Sequence, residues 1–172
     1  GPGGDPSVAT CALLMRHYLP YVRQWAANNL SVKGTEEAFD EIEKALRHED
    51  ARVRRAGLDA ISNYLGSWFT VDEKRNRVPQ EVVAKRFLPY IDAVLGSEQK
   101  ADWWELDGAM FALSRAGADA VRKHLPVLKT YAMHEEMWLR QSACWAIAHG
   151  LDQEIDKESM LFLAHRYAAE DR

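Results

Sequence analysis

Two short runs place histidine beside carboxylates, His48-Glu49-Asp50 and His134-Glu135-Glu136. Histidine with two acids is the composition of a metal site or an acid–base pair, but that chemistry needs donors that converge on one point. Adjacent side chains at a turn diverge, so both runs read as solvated helix-end residues. The spaced signatures that carry catalysis are absent: there is no H-E-x-x-H, no G-x-S-x-G, no Walker-type loop and no C-x-x-C. The two cysteines, Cys11 and Cys144, make neither a disulfide framework nor a metal knuckle. Cys144 falls among aliphatic positions and reads as a small core residue. The motifs therefore predict no metal, no cofactor and no catalytic residue.

The 172 residues are enough for one domain of ordinary size, with 47% hydrophobic and 28% charged residues. With 22 basic against 26 acidic residues and a net charge of −4, bulk charge does not favour a polyanion. Ten Gly and six Pro exclude a collagen-like or disordered composition. No apolar run reaches the ~18 residues of a membrane span. Val8–Met15 lacks the preceding basic residue of a secretory signal. The expectation is a soluble chain without a membrane partner, and a reducing, cytoplasmic setting suits the free thiols. Residues 1–4, Gly-Pro-Gly-Gly, read as a cloning remnant.

The elements that must position any site emerge from an internal repeat. His17-Tyr-Leu-Pro-Tyr-Val, Arg86-Phe-Leu-Pro-Tyr-Ile and Lys123-His-Leu-Pro-Val-Leu share a Leu-Pro step, and Pro89 and Pro126 lie 37 residues apart. A second pattern aligns Gly57, Ala60 and Ile61 with Ala109, Ala112 and Leu113 and with Ala143, Ala146 and Ile147. Positions 1, 4 and 5 share one helix face, and small residues there let another helix approach. Three helix pairs follow: 35–48 with 51–66, 80–96 with 102–116, and 118–133 with 136–150. A helix over 7–29 within a capping segment 5–34 precedes them, and one over 153–169 within 151–172 follows. Thr35, Asp102 and Ser159 mark helix starts, while Gly66, Gly96, Gly117 and Gly150 mark helix ends. The prolines in one column predict a repeated kink in the first helix of each pair.

This pattern resembles HEAT-type repeats, in which a proline-kinked first helix is followed by Asp-x-x-Val-Arg-x-x-Ala in the second. Asp50-Ala51-Arg52-Val53-Arg54-Arg55-Ala56 is similar to that motif, and Met137-Trp138-Leu139-Arg140-Gln141-Ser142-Ala143 less so. The middle unit departs, with Glu105 and Leu106 in the Val and Arg columns. Over 35–150 the resemblance implies an all-α, right-handed α-solenoid of about three HEAT-like pairs, whose second helices line a concave surface.

The composition has one excess, six tryptophans. Opposite the small-residue face, the second helix of unit one carries Arg52, Arg55, Asp59 and Ser62, a polar stripe. The same stripe reads Trp104, Asp107, Phe111 and Ser114 in unit two, and Trp138, Gln141, Trp145 and Ala148 in unit three. An aromatic stripe of this kind is either core under a terminal helix or an interaction surface. Trp103, Trp25 and Trp68 read as packing residues. The segment 67–80, with Lys74, Arg75 and Arg77 followed by Lys85 and Arg86, reads as a solvated loop, with docking of an acidic partner as the alternative.

One enzymatic resemblance stands beside this. The HEAT-like alkylpurine DNA glycosylases carry a Trp, an Asp four residues later and an Arg on the next second helix, and Trp103 or Trp104, Asp107 and Arg140 are similarly spaced. The resemblance implies a carboxylate against the damaged nucleotide and an arginine on phosphate. The acidic net charge argues against nucleic acid. The sequence therefore points to non-enzymatic binding of a protein or peptide, or of a second copy, through Arg52, Arg55, Asp59, Trp104, Asp107, Phe111, Trp138, Gln141 and Trp145. Glycosylase action through Trp103, Asp107 and Arg140 is the alternative. Oligomeric state is open.

Overall fold

The structure, a computed structural model, describes residues 4–97 and 101–170. Among the described residues every regular element is helical: eleven α-helices and one 3-10 turn, with no strand. The chain divides into two compact units, Gly1–Tyr90 and Ile91–Arg172.

The first unit contains α1 (Val8–Leu14), α2 (Pro20–Lys33), α3 (Glu36–Leu46), α4 (Ala51–Leu65), α5 (Val71–Lys74) and most of α6 (Gln80–Leu95). Helix α3 is the plainest case of pattern becoming structure. Phe39, Ile42 and Leu46 recur at helical spacing and are buried, while Thr35 caps the start by accepting the Ala38 N–H at 3.2 Å. Gly34 closes α2 with φ 61°, the left-handed conformation that favours glycine. A Cβ there would also lie 2.8 Å from a ring carbon of Tyr64, so space and backbone demand the same residue. The core beneath is aromatic. Phe39 meets Tyr64 edge-on at 4.8 Å and Phe87 at 5.9 Å, with Leu30, Leu58 and Ile61 filled in around them.

The second unit contains α7 (Trp103–Ser114), α8 (Ala118–Lys123), α9 (Leu125–Tyr131), α10 (Met137–Leu151), a 3-10 turn (Asp152–Glu154) and α11 (Lys157–Glu170). Helix α10 is central and packs on α7, α8, α9 and α11. Its core partners are Met110, Leu113, Val121 and Leu128, all inaccessible to solvent.

The small-residue columns are buried as the sequence pattern requires: Gly57, Ala60, Ile61, Ala109, Ala112, Leu113, Ala143, Ala146 and Ile147. Several boundaries differ. The helix expected over 7–29 is two helices, because Pro20 sits at the first position of α2, where its missing N–H costs nothing, and the chain turns before it. The helix expected over 118–133 is also two, broken at His124 beside Pro126 near the start of α9. Only Pro89 lies inside an unbroken helix, so the proline column is not a repeated kink. Gly117, with φ 112°, starts α8 rather than ending α7, and Gly150 lies inside α10. The last helix starts at Lys157 rather than 153, after the 3-10 turn, and Ser159 lies inside its first turn, its N–H donating to Asp156 at 3.0 Å. Among the described residues no helix is long and apolar enough to cross a membrane.

Candidate partner-binding faces

In the first unit, the three residues expected to contact a partner lie on α4 and are engaged in ion pairs. Arg52 grips Asp50 through Nε at 3.1 Å and Nη2 at 2.8 Å, and this hydrogen bonding holds the Asp50 carboxyl down to about 2. Arg55 donates to Asp59 one turn on, at 2.8 Å. Of the polar stripe only Arg52 is exposed; Arg55 and Asp59 are half-buried, and Ser62 is buried. The stripe is less open than its polarity implied.

In the second unit the remaining residues converge on α7 and α10. Trp138 (49% exposed) and Trp145 (42%) share one stripe of α10 with exposed Gln141 between them. Phe111 of α7 is half-buried against Trp145, with ring centroids 6.1 Å apart, and His149 stacks on Trp145 at 3.6 Å. Trp104 and Asp107 are half-buried, and Asp107 accepts a hydrogen bond from Ser142 of α10. Trp104, Asp107, Phe111, Trp138, Gln141 and Trp145 therefore sit on two packed helices.

Three tryptophans differ from expectation. Trp68 is 99% exposed, Trp103 is 42% exposed with its ring edge-on to Trp104, and Trp25 is 40% exposed. None is a core residue. Trp68 lies between α4 and α5, outside any helical period, which is why spacing gave no guide to its burial.

Two arginines of the basic segment are paired with acids and a third bonds a main-chain carbonyl. Arg86 reaches Asp40 and Glu43 at 2.8 Å and Glu36 at 3.3 Å, Arg75 lies 3.8 Å from Asp72, and Arg77 donates to the Val32 carbonyl. Hydrogen bonds from Arg86 and then Tyr90 hold Glu43 below the usual carboxylate range.

The residues of the glycosylase alternative are also engaged within the chain. The Arg140 Nη1 donates to the carbonyls of His134 (2.9 Å) and Glu135 (2.7 Å), and its other edge holds the Glu170 carboxylate. That arrangement belongs to a pattern the apolar alignment missed. Arg23 bonds the carbonyls of His17 and Tyr18 at 2.8 and 2.9 Å, and Arg54 those of His48 and Glu49 at 2.9 and 2.8 Å. In each copy the histidine Nδ1 accepts the N–H two residues on, at 3.1, 3.0 and 2.9 Å in chain order. His-x-x-x-x-x-Arg thus clasps the starts of α2, α4 and α10. The signal was present as three histidines each six residues ahead of an arginine. Helix α7 has Leu106 in the arginine position.

A groove of about 500 Å³ runs between α10 and α11. Trp145, Ala148 and Met137 line one side, and Leu163 and Tyr167 the other. Arg140, Arg166 and Glu170 also line it. Burial raises the pKa of the Cys144 thiol at the same groove. Among the described residues no group of three His, Cys, Asp or Glu side chains is placed to hold a metal ion.

What the fold defines is a class, an all-helical protein. No family model matches the sequence, and no curated protein matches it. Among solved structures, the chain is similar to two crystal structures of engineered proteins, both Northeast Structural Genomics Consortium targets. One is 17% identical with a TM-score of 0.56, over 95% of this chain and 70% of that one. The other is 14% identical with a TM-score of 0.54, over 92% of this chain and 67% of that one. Likeness at this identity speaks to fold alone.

Proposed function

We propose that the chain is a HEAT-like α-solenoid module, right-handed, that binds a protein or peptide partner without catalysis. The observation that carries the reading is the aromatic stripe of α10: Trp138 and Trp145 are each about half exposed on one helix face and braced from α7 by Phe111. Half-exposed aromatics on a rigid helix lose little side-chain entropy on binding, and such residues dominate the affinity of protein interfaces. Asp107 and Gln141 extend this face as a polar rim that sets register, with Trp104 as a further aromatic beside them. Arg52, Arg55 and Asp59 belong to the same proposed contact set as the second-helix residues of the first repeat, and they act mainly through charge. Repeats of this kind bury their hydrophobic faces against neighbours and leave one long surface for a ligand, which is the geometry a peptide or partner helix uses.

The test is selection of peptides from a displayed library on the full chain, followed by measured affinities. Trp138→Ala is expected to weaken the selected binders by more than about fivefold, roughly 1 kcal/mol, with helicity and melting unchanged. Binders indifferent to both Trp138→Ala and Trp145→Ala refute the reading. So does release of an alkylated base from DNA that is lost in Asp107→Asn, which establishes glycosylase action instead.

A further inference from the structure

We infer that the groove between α10 and α11 is a binding pocket for an aromatic carboxylate, a flat apolar ring carrying one anionic oxygen pair. Its size, about 500 Å³, lies within the range of small-ligand pockets. One part of the lining is apolar and aromatic: Trp145, with the ring of His149 stacked on it at 3.6 Å and itself in the lining, and Tyr167, Leu163 and Met137 around them. A ring placed there gains apolar and aromatic contact from both helices.

The charged lining specifies the rest of the ligand. Arg140 already holds a carboxylate along one edge of its guanidinium, through Nε and Nη2, both on Glu170. That is the fork geometry by which arginine recognises carboxylates. Arg166 lines the same groove and makes one long bond, 3.3 Å, to the Ala132 carbonyl. Two guanidiniums and one carboxylate leave an excess of one positive charge beside an apolar wall. A single carboxylate on the ligand completes the neutral set and exchanges or shares the Arg140 fork with Glu170. The chemistry has two sources: a free aromatic acid, or an aromatic residue at the C-terminus of another chain. The groove shares Trp145 and Gln141 with the protein-binding reading but not Trp138, so Trp138→Ala, expected to weaken a partner and leave naphthoate binding unchanged, separates the two.

The experiment is calorimetric titration of the full chain with 2-naphthoate and with its uncharged isostere 2-naphthamide. The naphthoate is expected to bind more than about tenfold tighter than the amide, a preference set by the guanidiniums. Arg166→Gln removes most of that preference and leaves amide binding unchanged, whereas Trp145→Ala weakens both ligands. Glu170→Gln frees Arg140 and tightens naphthoate binding several-fold, a gain that damage to the fold does not produce. A short peptide ending in tryptophan, with a free or amidated C-terminus, separates the sources. Free-terminus binding tighter than naphthoate marks a chain end, and weaker binding marks a free acid, with the shared chemistry upheld either way. Equal affinity for naphthoate and naphthamide, no binding of either at millimolar concentration, or a preference that survives Arg166→Gln with Glu170→Gln neutral overturns the proposal.

Discussion

Gly150 lies inside α10, one residue from its end, and replacing it by alanine sets two effects against each other. Alanine is the better helix former by up to about 1 kcal/mol in a helix interior, and by less near a terminus. Against this stands space. A Cβ on Gly150 would lie 2.3 Å from Cγ2 and 3.2 Å from Cβ of Val121, whereas carbon atoms in contact sit near 3.5–4.0 Å. Val121 is wholly buried in α8, and its branched side chain has essentially one helical rotamer, so it cannot swing aside. The helix must shift, and overpacking of this kind costs about 1–3 kcal/mol. Taking half the propensity gain, Gly150→Ala is expected to destabilise by about 0.5–2.5 kcal/mol, measured by urea denaturation followed by circular dichroism. The decisive version is a double-mutant cycle with Val121→Ala. That change alone removes two buried carbons and costs about 1–2.5 kcal/mol, yet it also clears the space, so the pair should cost at least about 1 kcal/mol less than the sum. A stabilising Gly150→Ala, or strict additivity with Val121→Ala, refutes the close approach of α8 to α10.

The Arg86 cluster predicts a pH dependence. Arg86 and Tyr90 hold Glu43 below the ordinary carboxylate range, so this contribution is complete above that range and is lost as pH falls through the folded value. Arg86→Met is therefore expected to be less stable near pH 7 and to show a smaller further loss between about pH 5 and pH 3, read from urea midpoints at each pH. At Trp68, 99% exposed, Trp68→Ser should change stability by no more than about 0.5 kcal/mol, while Tyr64→Phe, which deletes a buried hydroxyl donating to the Val78 carbonyl, costs about 1 kcal/mol in the same denaturation assay.

How far the sequence could be read depended on what each residue answers to. The columns of Gly57, Ala60 and Ile61 and their counterparts are dictated by burial on one helix face, and the apolar period exposes them directly. The bounds of α3, α4, α7 and α10 fall within two residues of those expected, since caps such as Thr35 and Asp50 act locally. Prolines were less transparent. Pro20, Pro89 and Pro126 share a motif, but whether each starts, bends or breaks a helix depends on the residues on either side. The candidate face was legible as a stripe, Trp138, Gln141 and Trp145, because one helix carries it. Partners from other elements were not: Ser142 on Asp107 and Glu170 on Arg140 join residues 35 and 30 positions apart. Trp25, Trp68 and Trp103 read as packing residues yet are exposed or half-exposed, since burial of an aromatic is decided by what packs over it from other elements.

The His–Arg clasp has a consequence for how the chain acquires its structure. Each copy closes over a separation of six residues and holds main-chain groups of its own helix start. A loop of that length closes in tens of nanoseconds, far faster than elements distant in sequence can meet. The unfavourable step in helix formation is the first turn, and the arginine secures two carbonyls just ahead of that turn while the histidine holds the N–H of the residue before it. Helices α2, α4 and α10 thus carry their own nuclei and can start independently, before any neighbour has docked. Helix α7, with Leu106 where the others have arginine, lacks that start. It is the second helix whose formation should wait for contact with α10.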